Sequence, residues 1–301
     1  MTFTLLRTVR DASRNLTSVL ALTAAFGVGL SLVGVTPVRA ERQDTKDDTT
    51  YTIKRVYKVG ETDRYQVTTK VRLDSPGGAR EAVMIMRIKD STADAKDNGT
   101  YTSISEFESA SITSSGTDHD LTAMMPKVIT THDKTGKSGV KMEGGNEDVN
   151  RQLGEQIKQF TLSAASVSLP PKPVKVGETW DMTDVIVEEK DPEDPKNKGE
   201  EKVKKIKGKV TLVSVDVVDG VKVGKFRTVS NITLSKDTKL HTEATTLLDM
   251  TTGKPLSFTS KSEGTTAAGK VNTEMELKML SPDDKGDAKE ATKADSDVKK
   301  P

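Results

Sequence analysis

From Thr62 onward the chain alternates. Tyr65, Val67, Val71 and Leu73 interleave with Arg64, Gln66, Lys70 and Arg72. A period of two sends one set to each side of a pleated strand, so this segment predicts a strand with one dry and one wet face. Tyr51, Ile53, Tyr57 and Val59 alternate in the same way and predict an earlier strand, with Arg55 interrupting the apolar side. Ala82 to Ile88 is apolar except for Arg87 and predicts a more enclosed strand. Asn98-Gly99 and Asp219-Gly220 are hairpin signals, because a type I′ turn needs positive φ at both central residues. Val210–Val218 and Val221–Ile232 flank the second of them and read as its two arms.

One stretch follows another period. Over residues 146–168, Val149, Leu153, Ile157, Phe160 and Ala164 are spaced by 4, 4, 3 and 4, which lines them along one side of a helix. Asn146 is placed to cap it, Glu147 and Asp148 suit its positive end, and Pro170, Pro171 and Pro173 stop it. This amphipathic helix is expected to dock on the chain's own sheet.

Short motifs recur at a constant offset. Lys58-Val59-Gly60-Glu61-Thr62 returns as Lys175-Val176-Gly177-Glu178-Thr179, 117 residues later. Gly136-Lys137 returns as Gly253-Lys254 at the same offset. The predicted fold is therefore mainly β: two similar antiparallel sheets, a tandem duplication, joined by the one helix and forming a half-barrel or a sandwich. The boundaries are a first β repeat over 50–145, the helix over 146–168 and a second β repeat over 169–280. The second repeat carries a charged insertion at 188–202. Lys205, Lys207 and Lys209 alternate after that insertion, a pattern that also protects edge strands.

Composition supports this picture. The chain holds 39 threonines and 30 valines, both branched at Cβ and suited to pleated strands. With 46 basic and 45 acidic residues it has no large electrostatic footprint for nucleic acid, which needs a basic face to release counterions. The absence of cysteine excludes disulfides, thiol nucleophiles, Cys-ligated metals and a lipobox acyl anchor. Residues 41–49 and 281–301 are almost wholly polar and are expected to be disordered.

The N-terminus reads as an address. Arg7, Arg10 and Arg14 precede an uncharged apolar run from Leu16 to Val35, and Val38-Arg39-Ala40 offers small residues at −3 and −1. Residues 1–40 therefore predict a signal peptide cleaved after Ala40, an extracytoplasmic (periplasmic or secreted) mature chain and no later membrane span.

The segment Leu169-Pro170-Pro171-Lys172-Pro173-Val174-Lys175-Val176-Gly177-Glu178-Thr179-Trp180 resembles the mid-chain motif of an uncharacterised family of secreted bacterial proteins, a domain-of-unknown-function class. Its pattern is Leu-Pro, then Pro-x-x-Val-Gly-(Asp/Glu)-x-Trp. The resemblance implies an extracytoplasmic β-rich fold and supplies no catalytic residues. The missing lipobox cysteine and the charged insertion depart from it.

Candidate chemistry is sparse. His119, Asp120, His132 and Asp133 are metal-ligand types, yet no His-x-x-x-His or His-Glu-x-x-His spacing places two imidazoles together. No cofactor and no bound metal are expected, and the protein reads as non-enzymatic. Met84, Met86, Met124, Met125 and Trp180 are candidates for a groove taking a lipid or other hydrophobic ligand, since methionine adapts to varied apolar shapes. Two further readings stand beside this one: a scaffold binding an envelope protein, and, more remotely, a metal-dependent hydrolase around His119 and His132.

Overall fold

In a computed structural model, the described residues are 49–96, 100–132, 138–147, 150, 169–170, 172–187, 203–233, 239–266 and 269–281. The signal peptide over 1–40, nearly all of 41–49, the insertion over 188–202 and the polar tail beyond 281 lie outside them. So does most of the expected helix; at its start, the Asn150 N–H donates to the Asn146 carbonyl at 2.8 Å.

The described residues form twelve strands: β1 (Thr62–Ser75), β2 (Gly78–Ala95), β3 (Tyr101–Ser114), β4 (Thr117–Asp120), β5 (Lys127–His132), β6 (Ser138–Glu143), β7 (Thr179–Val187), β8 (Val203–Val218), β9 (Val221–Thr233), β10 (Lys239–Asp249), β11 (Pro255–Thr266) and β12 (Gly269–Met279). A 3₁₀ turn at Thr122–Met124 separates β4 from β5. Every pairing is antiparallel, in the order β6-β5-β3-β2-β1-β12-β11-β10-β9-β8-β7, with β4 beside β3.

This corrects the expectation of two sheets. β1 and β12 zip together from Tyr65↔Met279 to Asp74↔Lys270, so the halves share one continuous sheet, and a sandwich is excluded. Two separate sheets would leave both of these strand edges with unpaired backbone donors and acceptors, and the β1–β12 ladder satisfies them. The sheet is not closed, because β6 and β7 end it. Nor is β8 an edge strand. It lies between β7 and β9, so Lys207 and Lys209 stand on an interior strand.

Alternation makes the two faces unlike. The inner face carries Tyr65, Val67, Val71 and Leu73 of β1, all buried, and across the ladder Val271 and Leu277 of β12 and Met86 and Ile88 of β2. The outer face carries ion pairs, including Arg64–Glu108 at 2.8 Å, Arg227–Glu243 at 2.7 Å and Lys278–Glu276 at 2.9 Å. Such exposed pairs add little stability, but their charges keep that side in water. Burying about 25 cal/mol worth of apolar contact per Å² then holds the other side dry.

The turns follow local chemistry. Asp219 and Gly220 have φ of 49° and 79°, the mirror-image turn expected between β8 and β9. Gly60 and Gly177 have φ of 81° and 88°, and each precedes the first strand of its half. Their hydrogen bonds match. Gly60 N–H donates to Thr92 O, Glu61 N–H to Lys58 O, and Thr92 N–H back to Glu61 O; Gly177, Glu178, Lys175 and Leu212 repeat the set.

The expected strand over 51–59 does not join the ladder. Tyr51 makes one isolated bridge to Val174, and Val56 N–H donates to Thr252 O at 2.8 Å. Arg55 turns inward and lies 5.0 Å over the Tyr57 ring, and the segment crosses the sheet end as a strap.

Candidate functional site

Register assembles the inner face from residues far apart in sequence. One cross-strand row runs Ile112, Met84, Thr69, Met275, Ser260, Ala244, Thr228, Val210, Trp180, from β3 to β7. The ends of the row are bulky and its middle is small. The next row runs Ala82, Val71, Thr273, Ser262, Thr242, Ser230, Gly208, Met182. Five successive strands there offer only a hydroxyl or a hydrogen atom.

Two apolar clusters flank this small-residue patch. One gathers Tyr65, Val67, Met86, Ile88, Ile112, Leu121 and Leu277, with Met84, Met125, Met275 and Met279 packed against it. The other gathers Ile53, Val174, Met182, Val210, Leu212, Phe226 and Leu248, with Trp180 and Met250 against it. Trp180 meets Phe226 edge-on, ring centroids 6.2 Å apart at 76°.

Among the described residues, all nine buried polar ones belong to the inner face. They are Ser103, Ser105, Thr130, Ser230, Thr242, Thr246, Ser260, Ser262 and Thr273. Thr242 Oγ1 and Ser262 Oγ are 2.9 Å apart and share a hydrogen bond. Ser260 Oγ and Thr130 Oγ1 are buried with no hydrogen-bond partner among the described residues. An unsatisfied buried hydroxyl costs about 1–3 kcal/mol, so each marks an unusual position.

A charged cluster closes one end of the same face. Asp63 and Asp90 face each other across β1 and β2, with Tyr65 and Ile88 in the next inward positions. Lys254, in the turn before β11, reaches Asp63 at 2.7 Å and Glu61 at 2.9 Å. Ser105 Oγ–H donates to Asp90 Oδ1 at 2.8 Å. Burial pushes the Asp90 carboxyl above its usual range, against the pull of Ser105 and Arg55. Burial also raises the Tyr57, Tyr65 and Tyr101 phenols. Burial opposes the Arg55 charge, but the neighbouring Tyr57, Tyr101, Tyr65 and Asp90 outweigh it and raise the guanidinium pKa. Tyr57 stacks on Tyr101 with centroids 3.5 Å apart, which clamps the strap to β3. Lys254 pairs with Asp63 and Glu61, so the cluster reads as a latch between the turn before β11 and the start of β1.

Of the groove candidates, Met84, Met86 and Met125 come together in the first apolar cluster, whereas Met124 is exposed on the 3₁₀ turn. Trp180 shares the row of Met84 but lies seven strand steps away, about 34 Å along the sheet at ~4.8 Å per step. The metal candidates are not assembled. His119 pairs with Ile112 and His132 with Tyr101, positions eleven residues apart on β3, or about 36 Å at ~3.3 Å per residue. Asp120 accepts the Thr122 N–H at 2.8 Å, and Asp133 lies outside the described residues. The third histidine, His241, contacts Asn231 on the outer face at 2.9 Å. Among the described residues no three His, Cys, Asp or Glu side chains converge as metal ligands.

Sequence reasoning missed the hydroxyl rows and Arg55. The signal was present in the strand phase. Thr242 and Thr246 share the parity of Leu240, Ala244 and Leu248, which already placed them on the dry side.

No protein-family model matches the chain, and no curated protein matches its sequence. Among solved structures it is similar to lipovitellin, with a TM-score of 0.48 and 11% identity over 75% of this chain and 26% of that one. It is also similar to a putative exported protein with a YmcC-like fold from Bacteroides fragilis (TM-score 0.26, 10% identity, 76% and 99% covered). A third is the hypothetical lipoprotein YmcC from Escherichia coli (0.25, 12%, 76% and 92%). The chain thus spans about a quarter of the lipovitellin length. Likenesses of this size assign no activity. Among the described residues no helix is long and apolar enough to cross a membrane.

Proposed function

We propose that this chain is an exported, non-catalytic binding protein that takes a hydrophobic ligand on the inner face of its sheet. One observation carries the reading. Of ten methionines, Met1 lies outside the described residues and Met124 is exposed, and the other eight pack into the apolar clusters of that face. Unbranched thioethers repack around varied shapes, which a single-purpose core does not require and a binding face exploits. Leucine, with its better-defined rotamers, is the commoner choice for filling a core.

The test is titration of the purified protein with N-phenylnaphthylamine, a dye that brightens in apolar surroundings, alongside extraction of copurified lipid. Saturable dye binding that an acyl-chain competitor displaces is expected. Met84→Lys with Met275→Lys should abolish it, whereas the two leucine replacements should retain it. Absence of saturable binding in the unaltered protein sinks the reading.

A second reading, a scaffold for an envelope protein, is favoured by one feature. Val213, Val217, Val218 and Val221 are exposed on the β8–β9 hairpin, with Val217 at 72%. Pull-down that is lost on Val217→Ser with Val218→Ser would favour it. Two further points belong to the same proposal. Matching hydrogen bonds around Gly60 and Gly177 support descent of the two halves from one copied segment, and the motif over Leu169–Trp180 supports membership of the secreted family it resembles.

A further inference from the structure

We infer that the hydroxyl rows of β9–β12 receive the uncharged, hydroxyl-bearing head group of an amphiphile whose acyl chain lies on the methionine cluster. This rests on the hydrophobic-ligand reading and names the class of ligand. Ser230, Thr242, Ser262 and Thr273 sit side by side on four successive strands, and Ser260 lies beside them in the adjoining row. All five are buried, at 0–4% exposure.

A stripe of small residues alone would be close packing. Here Ser260 Oγ is wholly buried on this face and has no hydrogen-bond partner among the described residues. A buried hydroxyl is normally satisfied, and a donor-acceptor supplied by a ligand would satisfy this one. Thr242 Oγ1 and Ser262 Oγ, 2.9 Å apart, share a hydrogen bond in the row beside it, so the surroundings of Ser260 are themselves polar.

Charge decides the head group. The inner positions of β9–β12 run Gly224, Phe226, Thr228 and Ser230; Leu240, Thr242, Ala244, Thr246 and Leu248; Phe258, Ser260, Ser262 and Gly264; and Val271, Thr273, Met275, Leu277 and Met279. None is ionisable. A phosphate or carboxylate placed there would lose its hydration without gaining a counter-charge, a heavy cost, whereas a glycerol- or sugar-like group exchanges water hydrogen bonds for protein ones. Met275 links the two parts, because it follows Ser260 in one row and packs against the apolar cluster.

Displacement of N-phenylnaphthylamine by three probes tests the inference: 1-monooleoylglycerol, methyl oleate and oleate. They share an acyl chain and differ in head group. Monooleoylglycerol should displace the dye at about tenfold lower concentration than methyl oleate, as one or two net hydrogen bonds imply. Oleate should be the weaker competitor beside monooleoylglycerol. In Ser260→Ala/Ser262→Ala/Thr242→Val the preference should fall to within about twofold through loss of monooleoylglycerol binding alone. The comparison in the unaltered protein needs no variant to fold. Equal displacement by monooleoylglycerol and methyl oleate, or tighter binding of oleate, overturns the head-group assignment and leaves the hydrophobic-ligand reading standing. Displacement by none of the three, with the dye bound, overturns both.

Discussion

Lys254 Nζ lies 2.7 Å from Asp63 Oδ2 and joins two residues 191 positions apart. The same ammonium holds Glu61, and only 11% of the Lys254 side chain is exposed. The contact ties the turn before β11 to the first residues of β1 while Val56 of the strap bonds the same turn. Lys254→Met would leave two carboxylates facing each other in a largely dry place. A loss of about 3 kcal/mol is expected, as when one partner of a buried pair is removed. Arg227→Ala on the outer face should cost no more than about 0.5 kcal/mol. Urea unfolding of both variants checks the contrast, and equal losses would show that the latch is solvated.

Asp90 gives the molecule a pH dependence of known sign. Its carboxyl holds its proton above the usual value of 3.8, first because of burial. The folded chain therefore binds that proton more tightly than the unfolded chain. The resulting stability is fully present below 3.8 and is lost as pH rises through the folded value. Asp90→Asn keeps an acceptor for Ser105 and removes the titration. The stability of Asp90→Asn relative to the unaltered protein should increase as pH rises from 3.5 to 7. Urea midpoints at several pH values measure it; a pH-independent gap would mean that Asp90 is not perturbed.

How much of this was legible beforehand depends on the kind of contact. The sidedness of β1 was readable because Tyr65, Val67, Val71 and Leu73 each declare their own face. The β8–β9 turn was readable because Asp219-Gly220 satisfies its two positive φ values locally. The pairing of β1 with β12 was not, since alternation says which face is dry and nothing about which strand lies alongside. Arg55 misled for a related reason. A charge at an apolar position looks like a flaw in a strand until Tyr57, Tyr101 and Asp90, from three segments, surround it. The hydroxyl patch was hidden because Ser and Thr are ordinary on wet faces, and only the register shows four neighbouring strands placing them on the dry one.

The turn glycines separate backbone strain from close packing. At Gly177 an added methyl group meets nothing within 4 Å, so Gly177→Ala suffers only the left-handed backbone, about 1 kcal/mol. At Gly253 the methyl would sit 2.5 Å from Lys54 O and 2.7 Å from Arg55 Cα. Backbone atoms cannot swing aside, so Gly253→Ala should lose clearly more and should loosen the strap. Equilibrium unfolding ranks the two, and the reverse order would argue against the strap lying on this turn.

Phe226 and Trp180 offer a direct optical report on the second apolar cluster. Phe226 is fully buried, and its ring meets the chain's single tryptophan edge-on. Phe226→Ala removes that contact and leaves a void, for a loss of about 3–5 kcal/mol. Trp180 emission should move to longer wavelength as water gains access, while far-UV circular dichroism keeps its β signature. Phe226→Leu refills most of the volume and should cost about 1 kcal/mol with little spectral change. If Phe226→Ala leaves both stability and emission unaltered, Trp180 packs elsewhere. The row from Met84 to Trp180 would then lose its far end.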